Sequence, residues 1–222
     1  MKEFIPVIFV AVFVLIVLVS VFYNKKAIIK RKLKKAPLKR ISSFKDGELA
    51  KLVGKVEFVE EALKAPLSGR ECAYYHIRVE QQVSSGKSSH WKTIVDEVVA
   101  NKFVIREGNE AAFVHSTKVK SHVVEDRKYR SGFLNDASEK LEAYLNRHGL
   151  ESENFLGLNK TIRYREGILE KGEKIAVLGT GKWTDASQLD LPDYYGRVLY
   201  MSSRDDQQVY LSDDPETLGA LV

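Results

Sequence analysis

Cys72 is the only thiol of the chain, and His76 follows it at four residues, a spacing that invites a nucleophile–base reading. The segment around them, CAYYHIRVEQQV (72–83), alternates in polarity and predicts a strand. On a strand the two side chains share a face but stand about 13 Å apart, at ~3.3 Å per residue. A working nucleophile and base need ~2.6–3.2 Å, so Cys72 and His76 form no dyad with each other. Arg70 nearby would lower a thiol pKa. A lone Cys in a strand is otherwise a small packed apolar side chain.

The five histidines, at 76, 90, 115, 122 and 148, form neither H-x-H nor H-E-x-x-H. One sulfur is too few for a Cys-based zinc site or a disulfide framework. No metal and no cofactor are expected. LGTGK (178–182) has the outline of a phosphate loop, but Ala176 replaces the first glycine of that pattern and Trp183 its hydroxyl. The acidic pairs Glu60–Glu61, Asp205–Asp206 and Asp213–Asp214 sit in polar, turn-like contexts. DASQLDLPDYYG (185–196) is long, polar and aromatic-tipped, and reads either as a binding loop or as a surface excursion. No catalytic residue is assigned.

The elements that must position these groups read mostly as strands. Period-2 patterns occur at 51–59, 72–83 and 91–99, the last two forming a hairpin about SSGKSS (84–89). Shorter strands are expected at 103–105, 111–115, 118–124, 175–178, 196–201 and 208–211. Gly54 in the first strand marks a bulge or a close backbone approach. One helix is expected at 136–148, capped by Asp136 with Glu139 bonding back, and followed by Gly149. Its apolar stripe is Ala137, Leu141, Tyr144, Leu145 and His148. The fold class is mainly β, a small barrel or sandwich with one inserted helix.

Charge divides the chain. Phe4–Tyr23 is uncharged, with 16 of its 20 residues Val, Ile, Leu or Phe. It is long enough to span the ~30 Å core of a bilayer as a helix. It exceeds a secretory h-region and lacks a small-x-small cleavage site. Residues 1–24 are therefore expected to form a transmembrane helix. A basic juxtamembrane stalk (25–45) comes next, with Lys25, Lys26, Lys30, Arg31, Lys32, Lys34, Lys35, Lys39 and Arg40 but no acid. The positive-inside rule places the chain beyond the helix in the cytoplasm, with the N-terminus outside. Membrane lipids are the expected partners of the helix and stalk. Residues 1–45 carry a net charge of +10, and 46–222 a net charge of −5. The folded part is mildly acidic, and no nucleic-acid partner is expected.

The stretch APLSGRECAYYHIRVE (65–80), with the upstream KLVGKVEFVEEALKAPLSG, resembles the GIDE-type, or "beside a membrane", domain of membrane-anchored ubiquitin ligases. KFVIREGNEAAFV (102–114) and EGILEKGEKIAVLGTGK (166–182) are similar to later segments of that domain, in the same order. The resemblance covers about residues 46–215. It implies an all-β domain held beside a membrane that binds another protein. Ser68, Gly69, Arg70, Cys72, Tyr74 and Tyr75, with Pro66, match its motif and are the candidate binding residues. The ligases also carry a RING finger, which needs several Cys ligands and is not expected here with one Cys. The expected function is thus a non-catalytic protein-interaction or sensing module at the cytoplasmic membrane face, with an unidentified protein partner. A component of a ubiquitin-ligase-like modification system and a Cys72-dependent enzyme remain as alternatives.

Overall fold

The computed structural model describes residues 24–86, 88–115, 119–131, 138–151, 160–204 and 208–219. The elements run α1 (Lys25–Lys35), β1 (Glu48–Phe58), β2 (Leu63–Lys64), β3 (Glu71–Cys72), β4 (Tyr74–Ser85), β5 (Ser88–Ala100), β6 (Phe103–Glu107), β7 (Glu110–Val114), β8 (Val119–His122) and β9 (Arg127–Ser131). They continue with α2 (Glu139–Arg147), β10 (Ile162–Leu169), β11 (Lys174–Asp185), β12 (Arg197–Ser202), β13 (Val209–Ser212) and α3 (Pro215–Leu218).

Strands β1, β6, β7, β12 and β11 are neighbours in that order, and β11 returns to β1 to close a five-stranded barrel. The closing register runs from Glu48 opposite Gly181 to Lys55 opposite Lys174. All barrel pairs are antiparallel except β7 with β12. In order along the chain, the barrel strands connect 1-2-3-5-4-1 with strands 3 and 5 parallel. That is the Greek-key barrel connectivity of the OB fold. Strand β13 lies along the first half of β11 and brings β8 beside it.

Two glycines permit the closure. A Cβ at Gly54 would stand 2.6 Å from the Arg106 carbonyl oxygen, and one at Gly181 2.8 Å from the Phe44 ring. Alternation then sorts the strands. Leu52, Phe103, Ile105, Ala112, Val177 and Leu199 fill the interior, while Val104, Phe113 and Val198 face outward.

A second sheet, in the order β5-β4-β10-β9, stands beside the barrel. Ile77, Val79 and Ile162 on one of its faces pack against Leu141, Tyr144 and Leu145 of α2. Of the expected stripe, Leu141, Tyr144 and Leu145 are buried while His148 at the helix end is exposed, and the cap differs too. Ser138 takes the N-cap and its side chain accepts the Leu141 amide at 3.3 Å. The closer residue wins because the first turn begins at Glu139. Asp136 and Ala137 lie outside the described residues. Gly149 has φ +66°, as a left-handed helix end requires.

Several expectations are corrected. The β content resolves as a closed barrel plus a separate sheet, rather than a barrel or sandwich alone. Three α-helices, not one, are present among the described residues. The expected transmembrane helix is not among them: no helix of the described residues is long and apolar enough to cross a membrane. The apolar run at 4–23 lies outside the described residues. The first part of the expected basic stalk is helical, as α1. Its Ile29 and Leu33, one turn apart, are fully buried against Ala176 and Leu178.

Candidate functional site

The 65–75 motif folds as a turn fastened to strand β10. Gly69 takes φ +75°, and its amide donates to the Ala65 carbonyl at 2.8 Å. The carboxylate of Glu166, almost fully buried, accepts the Leu67 amide at 2.9 Å and the Ser68 amide at 3.0 Å. Ser68 Oγ accepts the Arg70 amide at 3.3 Å. Arg70 forms a two-pronged pair with Glu170, Nε donating at 2.9 Å and Nη2 donating to the other carboxylate oxygen. Cys72 is fully buried, and burial pushes its thiol up to about 11. Such a thiol is protonated at neutral pH and shielded from substrate. Tyr74 is buried with its hydroxyl 2.6 Å from Ser121 Oγ, and burial pushes it up to about 12. Tyr75 is half-buried between α2 and the Cys72 cluster. The structure thus brings Ser68, Gly69, Arg70 and Cys72 together, and each has an intramolecular role there.

The basic residues divide in two. Lys30 pairs with Asp214 and Glu216 at 2.9 Å, and Lys34 pairs with Glu216, so both fasten α1 to the end of the chain. These contacts raise the Lys30 pKa, the Glu216 hydrogen bond first. Lys39 pairs with Glu48. Arg31 lies half-buried, while Lys25, Lys26, Lys32, Lys35 and Arg40 are exposed.

A cleft of about 420 Å³ opens on the outer face of barrel strands β7 and β12. It is lined by Phe113, Tyr200 and Leu189, by Asn101, Lys102 and His115, and by the acidic Glu60 and Asp190. Phe113 and Tyr200 are brought side by side by the parallel pairing of their strands. Their rings stack at 6.1 Å between centroids, 24° between planes. The volume falls in the ~300–1,000 Å³ range of small-ligand sites.

The 185–196 segment builds the other wall. Ala186, Leu191 and Tyr195 are buried over Val104 and Val198, so the segment is folded onto the barrel face. Tyr195 donates to Glu57 at 2.8 Å, and Glu57 also receives the Arg106 guanidinium at 2.8 and 2.9 Å. The Arg106 contact holds the Glu57 carboxyl below its usual range. Asp190 alone among the described non-glycine residues has a left-handed backbone, φ 52°. Its carbonyl accepts Lys102 Nζ at 3.2 Å, tying the two cleft walls together. The neighbouring Tyr194 is 75% exposed and lies against the Tyr195 ring.

The sequence singled out the 185–196 loop but not Phe113, Tyr200 or Lys102. Phe113 and Tyr200 lie in ordinary alternating strands, and nothing local announces that a parallel pair sets them together. No group of three or more His, Cys, Asp or Glu suited to a metal occurs among the described residues.

Comparison with family models, with curated proteins and with solved structures finds no match to this chain.

Proposed function

We propose that the chain is a non-catalytic recognition module that binds a short segment of a partner protein in the Phe113–Tyr200 cleft. The observation that carries this reading is the cleft's place and lining. It lies on the outer barrel face, between the connections joining barrel strands 1–2 and 4–5, which is where five-stranded Greek-key barrels hold their ligands. That positional argument is an analogy of fold; the lining supplies the chemistry. Stacked aromatic rings and Leu189 offer an apolar floor, and around it stand Glu60, Asp190, His115 and Lys102, the last donating to the Asp190 carbonyl, so both signs of charge are present. An apolar or aromatic side chain followed by an uncharged polar group such as an amide matches such a surface.

The acidic balance of residues 46–222 disfavours an oligonucleotide in the same place. The buried Cys72 thiol gives no support to a thiol-dependent reaction. A photo-crosslinking residue at Leu189, with a second at the exposed Lys64, outside the cleft lining, as a control, tests the proposal. A saturable adduct at 189 alone supports it; equal labelling at both positions, or none, rejects it.

A further inference from the structure

We infer that two copies of this chain associate through strand β5, edge to edge, about a twofold axis between Ile94 and Val95. Strand β5 ends the second sheet and pairs on one side only, with β4, among the described residues. It is 13 residues long, about 43 Å at ~3.3 Å per residue. An edge of that length suits pairing with another strand.

The pairing of β5 with β4 contains one bulge. Val95 stands opposite Val79 and Thr93 opposite Glu80, so Ile94 has no opposite residue. Beyond the bulge, alternation changes phase. Trp91, Thr93, Asp96 and Val98 stand opposite Gln82, Glu80, Arg78 and His76, and therefore share a face. Lys92 and Glu97 stand opposite Gln81 and Ile77, and share the other face.

That phase change makes the strand complementary to itself. In an antiparallel pair, directly opposed residues occupy the same face. In a regular strand, residues 91 and 98 would lie on opposite faces; the bulge puts them on one. A twofold axis between 94 and 95 then sets Trp91 against Val98 of the second copy and Lys92 against its Glu97. Val98 is 51% exposed, and Trp91 on the same face lies under the Arg163 guanidinium, 4.2 Å from its ring centroid. Lys92 against Glu97 brings opposite charges together in both halves, at a carboxylate that already accepts the Tyr144 hydroxyl at 2.7 Å within its own chain. A bulge ordinarily blunts an edge. Other registers that pair the strand across its bulge set an extra residue against a regular ladder or, with 94 opposite 94, bring Thr93 against Val95 on the other face, so the bulge favours the axis between 94 and 95.

Disulfide trapping on the purified full-length chain reads the register. Trp91→Cys and Val98→Cys chains are mixed and oxidised under mild conditions, after circular dichroism shows that each is folded. Cys72 is fully buried and does not compete. The expected result is a heterodisulfide between the two variants, about tenfold above either homodisulfide. Residues 91 lie about 23 Å apart in this register, so homodisulfides have no short path. Adding Lys92→Glu lowers the trapped yield about threefold, because like charges then oppose. Absence of the heterodisulfide, or homodisulfides in equal yield, overturns the inference. So does a chain that stays monomeric at high concentration, which would assign the edge to a different protein.

Discussion

Glu166 and Ser68 meet through a side chain and a backbone: the buried Glu166 carboxylate receives the Ser68 amide at 3.0 Å and the preceding Leu67 amide at 2.9 Å. A central strand of the second sheet thereby fixes the turn that carries the most distinctive sequence motif. Glu166→Ala leaves two amides without their acceptor and is expected to destabilise the fold by about 2–4 kcal/mol. A chemical denaturation midpoint measures this, and a loss under about 1 kcal/mol contradicts the role given to Glu166.

The Arg70–Glu170 pair is a third or more exposed on both partners. Solvent screening limits its worth to about 1 kcal/mol in a double-mutant cycle of Arg70→Ala and Glu170→Ala. Crosslinking from position 189 is expected to be unchanged in Arg70→Ala. Its loss in the folded variant would move the recognition surface to the 65–75 turn.

Cys72 is buried and its thiol is pushed up to about 11. At pH 8 its modification by an aromatic disulfide reagent is expected to be on the order of a hundredfold slower in the folded chain than in denaturant. Equal rates would mean that the thiol is exposed and poised for chemistry.

Burial pushes the Asp213 carboxyl up to about 7 from an ordinary 3.8, although the Val124 amide donates to it. The folded chain then keeps a proton that the unfolded chain has released between about pH 4 and pH 7, and stability falls as pH rises through that window. Burial raises Glu173 as well, which acts in the same direction. Glu216 works oppositely: its bonds to Lys30 and Lys34 hold it near 2, and their contribution is lost as pH falls from about 4.5 toward 2. The melting temperature is therefore expected to be lower at pH 8 than at pH 5, by a difference on the order of a few kcal/mol in stability. Asp213→Asn should flatten that slope. A wild-type chain more stable at pH 8 than at pH 5 would contradict the assignment.

Local pattern made much of this fold legible. The β4–β5 hairpin, the β6–β7 turn and the buried stripe of α2 all follow from period and turn chemistry. Strand β10 alternates through Ile162, Tyr164 and Ile168 with Arg163 and Arg165 on the other face, but Glu166 stands where an apolar residue is expected and obscures it. Those charges are explained only by remote partners: Arg163 pairs with Glu80, Arg165 with Glu125, and Glu166 receives the 67–68 amides. The helical basic segment was obscured in the same way, since its fastening to Asp214 and Glu216 joins the two ends of the described chain. The cleft depends on barrel closure. Phe113 and Tyr200 become neighbours only when β12 lies parallel to β7, a pairing that no spacing in the sequence encodes.

The most direct test of the recognition cleft is affinity selection of a random peptide library on the wild-type chain and on Tyr200→Glu. Tyr200 is half-buried at the cleft wall, so the charge enters the site without being forced into the barrel interior. The wild type is expected to enrich peptides that pair an apolar or aromatic residue with an amide or other uncharged polar neighbour. Tyr200→Glu, shown folded by its melting curve, is expected to lose that enrichment about tenfold or more, equivalent to roughly 1.4 kcal/mol. Identical enrichment by both chains, or no enrichment by the wild type, would contradict recognition at this cleft.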